Sequence, residues 1–224
     1  MRDDERAGSG GWKEQGRSWF RPLGYALAKR GVRPDHLTLA GLGFSLVAAL
    51  LLGRGEFLLA AVVIGLAGLC DMLDGDVARA TGTASPFGAF LDSTLDRVGE
   101  GALFAGLANY YYLSAGGGSI WFRGSFEGEA RWNDPDGHTM AVLALSTLIL
   151  SFLVSYIRAR AEGLGLECKV GIMERPERLM ALGLGALLGP RFLPGILGLL
   201  FVLTLVTVLQ RVYHVRRLTR TKAP

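Results

Sequence analysis

Six stretches of this 224-residue chain carry no charged side chain: Leu37–Gly53, Phe57–Cys70, Gly101–Phe122, Thr139–Ile157, Leu179–Pro190 and Phe192–Gln210. A helix that crosses a bilayer needs about 17–25 mostly apolar residues. The first, third, fourth and sixth stretches reach that length alone. Phe57–Cys70 and Leu179–Pro190 reach it only if the polar residues beside them stay helical near a membrane face. Half of the residues are hydrophobic, and their blockwise distribution predicts an all-α integral membrane protein with six transmembrane helices rather than a soluble core.

Charge orients those helices. With the N-terminus inside, eight Lys and Arg fall in 1–36, two in 76–97, five in 157–180 and five in 211–224, which is 20 of 24; Arg54, Arg123, Arg131 and Arg191 fall outside. The positive-inside rule then predicts a multi-pass protein of the cell (plasma) membrane with both termini in the cytoplasm. The net charge of +4 follows from this topology and predicts no nucleic-acid partner. Cys70 and Cys168 form no zinc pattern and no obvious disulfide, and Cys70 reads as a small apolar residue buried in its helix. The abundant glycine predicts close helix packing, with Gly185 and Gly189 at small-xxx-small spacing.

Along the chain, residues 1–16 read as a disordered tail, and the first 36 residues lack the features of a signal peptide. Residues 17–34, aromatic and basic, read as an amphipathic interfacial helix. Residues 35–215 form the membrane domain, and 216–224 a basic tail. Arg33-Pro34-Asp35 breaks one helix and starts another, so Asp35 or Thr38 can cap the first span or meet an anion there. Thr81–Pro86 and Leu164–Ile172 read as inner connections and 116–137 as a long outer loop.

After the uncharged Phe57–Cys70, five aspartates appear within 26 residues. At about 100° per residue, with Asp71 at zero, Asp74 lies at about 300°, Gly75 at about 40°, Ala78 at about 340° and Arg79 at about 80°. These share one broad face. Asp76, at about 140°, points elsewhere and is set aside. On the next helix Gly88, Asp92 and Asp96 follow i, i+4, i+8 spacing and share a face. A short link makes the two helices neighbours, so Asp71, Asp74, Asp92 and Asp96 can meet. Four carboxylates together repel one another, and ionisable groups at membrane depth are costly and usually functional. Protonation or hard divalent cations would relieve the repulsion, and all-oxygen ligation suits Mg²⁺ or Mn²⁺. Two such ions can stabilise attacking and leaving oxygens in phosphoryl chemistry. Gly75, Ala78 and Gly88 leave room for a phosphate ligand, and Arg79 can meet it bidentately.

The pattern Asp71-x2-Asp74-Gly75-x2-Ala78-Arg79-x8-Gly88-x3-Asp92-x3-Asp96 resembles the signature of the CDP-alcohol phosphotransferases, six-helix membrane enzymes that displace CMP from a CDP-linked lipid with an alcohol. The resemblance implies two divalent cations, Mg²⁺ or Mn²⁺, on the four aspartates, with Asp96 also the base for the acceptor hydroxyl, and it implies a homodimer. A narrower likeness joins Ser155–Glu162, Gly171–Leu179, Pro34–Thr38 and Leu209–Val212 to the prokaryotic inositol-phosphate branch of that family. It implies that Asp35, His36, Leu37, Thr38, Gly75, Arg79 and Ser85 hold the CDP moiety, Ser85 standing where the family has Thr. It further implies that Arg158, Arg178 and Arg211 hold the acceptor's phosphate, Arg158 standing where Lys is common.

Five basic residues, Arg158, Arg160, Arg175, Arg178 and Arg211, fall at the inner ends of helices four to six, the level expected for the aspartates. That placement favours a phosphorylated acceptor over serine, choline or free inositol. It does not separate inositol phosphate from glycerol 3-phosphate; the narrower likeness does. The expected reaction is transfer of a phosphatidyl group from CDP-diacylglycerol, within membrane lipid, to myo-inositol 3-phosphate at the cytoplasmic face. The rivals are a phosphatidylglycerophosphate synthase and a divalent-cation transporter. The transporter predicts acids spread along a path through the bilayer.

Overall fold

The computed structural model describes residues 22–116 and 137–222. The 1–16 tail, residues 17–21 of the expected interfacial helix, nearly all of the 116–137 outer loop and the chain's last two residues lie outside the described residues. Seven helices are present among those described: α1 (22–29), α2 (Pro34–Gly53), α3 (Phe57–Thr81), α4 (Pro86–Ser114), α5 (Gly137–Glu162), α6 (Arg175–Leu188) and α7 (Leu193–Lys222).

Four of them, α2, α3, α5 and α7, are long and apolar enough to cross a membrane, so the chain is an all-helical, multi-pass membrane protein. The other two expected spans differ for physical reasons. The first half of α4 carries Asp92, Asp96, Arg97 and Glu100. α6 has 14 residues, about 21 Å of helix against a hydrocarbon thickness of about 30 Å. The exposed faces of the long helices are apolar: Val142, Leu145, Ile149, Leu153 and Tyr156 form such a face along α5.

The chain divides into two compact units, Met1–Phe44 with Leu66–Asp96, and Ser45–Gly65 with Arg97–Pro224. In the first unit α1 ends at residue 29, before Arg33-Pro34. Gly31 adopts φ 77°, a conformation that suits glycine and closes helices, and Val32 N–H donates to the Leu27 carbonyl. α2 lies close on α3, where a Cβ on Gly41 would sit 3.4 Å from Cys70 Cβ; Cys70 is half-buried rather than buried. α3 continues without a break through Asp71, Asp74 and Asp76 to Thr81. α4 then starts at a Ser-Pro pair. Ser85 Oγ accepts the Gly88 N–H at 3.0 Å, an N-cap, with Pro86 at the first helical position, where a missing N–H costs nothing.

The second unit is built on small residues. α5 buries Ala141, Ala144, Thr147, Ser151 and Val154, allowing close helix approach. Thr147, Thr204 and Thr207 satisfy their hydroxyls on the carbonyls four residues back. A Cβ on Gly106 of α4 would lie 2.2 Å from the Ala49 carbonyl oxygen, so backbone meets backbone there. Gly106→Ala is expected to force the helices apart and to cost on the order of 1–3 kcal/mol as overpacking, read as a lower thermal midpoint of the purified protein. Gly185 also packs closely, with its missing Cβ 2.8 Å from Leu193 Cδ1. Gly189 does not share that role: it caps α6 at φ 84° with open space around it.

The 163–174 connection is fastened from several sides. Met173 N–H donates to Thr207 Oγ1 at 3.0 Å. Arg178 Nη1 donates to the Met173 carbonyl at 2.9 Å, and Arg211 Nε to the Val170 carbonyl at 2.8 Å.

Candidate active site

All residues of the aspartate signature fall in the first unit. Asp71 on α3 meets Asp92 and Asp96 on α4: one carboxylate oxygen from each lies within 4.8 Å of the others. Three half-buried carboxylates converging in this way make a donor set of hard oxygens that suits a divalent cation. Asp74 is not part of that trio. It is buried, and it lines a cleft of about 410 Å³ together with Asp92, so a fourth carboxylate stands beside the three.

Thr38 does not cap α2. Its hydroxyl lies 2.9 Å from Asp74 Oδ2 and 3.2 Å from the Pro34 carbonyl, which fixes the Asp74 side chain across from α2. Asp35 lies in the first turn of α2, where its carboxylate receives a long 3.5 Å contact from Arg33.

The cleft brings together five of the seven residues expected to hold CDP: Asp35, Thr38, Gly75, Arg79 and Ser85. Pro34, Ala78 and Gly88 are also on its wall. His36 and Leu37 are not on that wall; they sit on the same first turns of α2, and His36 is exposed. The wall therefore offers a cation, hydroxyls and helix-end backbone beside carboxylates, the mixture that a metal-assisted phosphate ester requires. The residue excluded by helical phase, Asp76, does stay out of the trio. It is buried nonetheless, and its Oδ1 accepts a hydrogen bond from Arg79 Nη2. The signal for that pair was the i, i+3 spacing of opposite charges.

The three arginines expected at the acceptor phosphate belong to the second unit and occupy different surroundings. Arg158 is part-exposed and pairs with Glu162 at 2.9 Å. Arg178 and Glu100 are each only 1% exposed. They face each other bidentately, Nε to Oε1 at 2.6 Å and Nη2 to Oε2 at 3.0 Å. Arg211 is buried and donates to the Val154 carbonyl at 2.6 Å besides Val170. Sequence reasoning missed Glu100. Its signal was a lone acid at the edge of an uncharged stretch, one helical step beyond Asp92 and Asp96.

Residues 32–209 match the family model of the CDP-alcohol phosphatidyltransferases. The chain is 39% identical over 204 residues to the phosphatidylinositol phosphate synthase of Mycolicibacterium smegmatis, covering 88% of this chain and 83% of that one. It is 36% identical over 185 residues to the archaetidylinositol phosphate synthase of Methanothermobacter thermautotrophicus, covering 81% and 82%. Among solved structures it resembles Mycobacterium tuberculosis phosphatidylinositol phosphate synthase with CDP-DAG bound, with TM-score 0.71 and 32% identity over 87% of this chain and 92% of that one. The same enzyme in complex with manganese and citrate gives TM-score 0.70 and 33% identity over 87% of each chain.

Proposed function

The chain belongs to the CDP-alcohol phosphatidyltransferase family, and from that premise we propose that it transfers the phosphatidyl group of CDP-diacylglycerol to myo-inositol 3-phosphate, giving phosphatidylinositol phosphate and CMP. The observation that carries the reading is the convergence of Asp71, Asp92 and Asp96 beside a cleft walled by Asp74, Gly75, Arg79 and Ser85. The acceptor follows from the relatives, which match over more than four fifths of both chains and are named for inositol phosphate products.

Asp71, Asp74, Asp92 and Asp96 hold two divalent cations, Mg²⁺ or Mn²⁺, which when bound neutralise the diphosphate and the charge that gathers on the departing CMP. Manganese accompanies the similar tuberculosis enzyme. Arg79 donates to the diphosphate beside the Ser85 hydroxyl, and the first turn of α2 at Asp35, His36, Leu37 and Thr38 serves the cytidine side of the CDP moiety. Thr38 also keeps Asp74 in its place. Asp96 takes the proton of the acceptor hydroxyl as its oxygen bonds to the lipid phosphorus and the bond to CMP breaks. Arg158, Arg178 and Arg211 serve the acceptor's own phosphate.

The protein works as a homodimer in the plasma membrane with six spans, α4 and α6 among them; the distribution of Lys and Arg supports placing both termini and the active site on the cytoplasmic side. The transporter reading gains nothing from the carboxylates, which gather at one cleft instead of spreading along a path. An acceptor panel tests the substrate: CMP release from CDP-diacylglycerol is measured with inositol 3-phosphate, glycerol 3-phosphate, inositol and serine in turn. Release with inositol 3-phosphate is expected to exceed release with each of the others: inositol and serine lack the phosphate that Arg158, Arg178 and Arg211 are proposed to meet, a loss of about 10²-fold or more, and glycerol 3-phosphate lacks the inositol ring. Release with glycerol 3-phosphate alone would overturn the assignment.

A further inference from the structure

We infer that Asp76, which stands outside the aspartate signature, is a positioning residue that aims Arg79 at the CDP diphosphate. The inference rests on the proposed assignment of the α2–α3–α4 cleft to CDP-diacylglycerol.

Three observations carry it. First, the two partners divide their surroundings: the Asp76 side chain is 8% exposed and the Arg79 side chain 60%. Arg79 is on the cleft wall and Asp76 is not, so Asp76 reaches the ligand only through the guanidinium. Second, the guanidinium is folded back along α3 over Gly75. A Cβ at that position would lie 3.3 Å from Arg79 Nη1 and 3.4 Å from Nη2, so the bare backbone of Gly75 makes room for the head group that Asp76 holds. Third, Asp76 is costly where it is. A Cβ on Gly24 of α1 would lie 2.9 Å from Asp76 Cβ, so α1 closes directly over it, and Asp76 Oδ2 has no hydrogen-bond partner among the described residues. Half-exposed ion pairs at this spacing add little stability, while a carboxylate taken out of water is expensive. Stability alone does not account for the pair.

The chemistry supplies the missing reason. Arg79 borders a cleft that also holds Asp35, Asp74 and Asp92. Without a partner of its own, its guanidinium would be drawn to a carboxylate needed for metal. Asp76 supplies a partner that is not in the converging trio and takes the guanidinium at Nη2. The Nε and Nη1 donors are left for phosphate oxygens.

The test is a double-mutant cycle on CMP release, with KM measured separately for CDP-diacylglycerol and inositol 3-phosphate. Asp76→Asn keeps the shape and removes the charge. It is expected to raise KM for CDP-diacylglycerol about tenfold and leave the acceptor KM unchanged. Arg79→Ala is expected to raise the same KM at least as far, and Asp76→Asn to add nothing in that background. Asp76→Glu, which retains the charge, is expected to raise it by a smaller factor, and carries the test if Asp76→Asn does not fold. An unchanged KM for CDP-diacylglycerol in both Asp76 variants would overturn the inference. So would a loss that multiplies with that of Arg79→Ala, the mark of a structural role. If Arg79→Ala itself leaves that KM unchanged, the assignment of the cleft fails, and the inference with it.

Discussion

Asp92→Asn is expected to lower CMP release by about 10³-fold or more, the scale on which losing one preorganised charge at a phosphoryl transition state is felt, while the protein still folds. Asp92 is one of the two signature carboxylates contributed by α4 and, among the described residues, the one that both joins the converging trio and lines the cleft with Asp74. An amide there keeps the volume and half of the oxygen donors but removes a charge from the set that holds the cations. Because that set repels itself without cations, the variant is expected to keep or raise its thermal midpoint in metal-free buffer. It should lose most of the stabilisation that added Mg²⁺ or Mn²⁺ gives the unaltered protein. Activity and metal-dependent stabilisation falling together, with folding intact, would support the ligand role. Full CMP release from Asp92→Asn would remove it.

The second large effect lies in the other unit. Arg178 and Glu100 form an ion pair with each member 1% exposed, and Arg178 also reaches the Met173 carbonyl. A charge left alone in such a place costs about 3–5 kcal/mol, whereas replacing both partners with apolar residues of similar size can be neutral. Glu100→Leu is therefore expected to lower the thermal midpoint strongly, and Glu100→Leu with Arg178→Met to restore most of it. The double variant is still expected to turn over poorly, since Arg178 is proposed to serve the acceptor. Recovery of stability without recovery of activity would separate the two roles of Arg178. A Glu100→Leu protein as stable as the parent would show that the pair contributes little.

Much of the site was legible in the sequence because helical phase is a strong constraint. Four-residue spacing puts Asp92 and Asp96 on one stripe of α4. The unbroken helix from Phe57 to Thr81 carries Asp71 to them at the end of an apolar segment. Phase was less informative about long side chains. Arg79 shares a helix face with Asp71, yet its flexible stem lets the head turn back to Asp76, a residue that projection on a wheel sends elsewhere. Charge was also an incomplete guide to exposure. Arg178 and Arg211 look like anchors on an inner membrane face, but both are buried, because a bidentate carboxylate satisfies Arg178 and the Val154 carbonyl of α5 with the Val170 carbonyl of the 163–174 connection satisfy Arg211. The end of α1 depends on Gly31 adopting a positive φ, and Gly189 stops α6 in the same way; glycine count and spacing alone do not tell a stop from a packing contact, as the pair Gly185 and Gly189 illustrates. The two expected spans outside the four long apolar helices, α4 and α6, are those whose uncharged stretch is offset from the helix or is itself brief.

The central claim is a matter of which lipid is made. Purified protein in detergent, given CDP-diacylglycerol, inositol 3-phosphate and Mg²⁺, is to be followed by mass spectrometry of the lipid fraction alongside CMP. The account predicts a phospholipid carrying an inositol monophosphate head group, formed in equal amount with CMP and absent when EDTA replaces Mg²⁺. CMP without that lipid, or the lipid formed undiminished in EDTA, would contradict it.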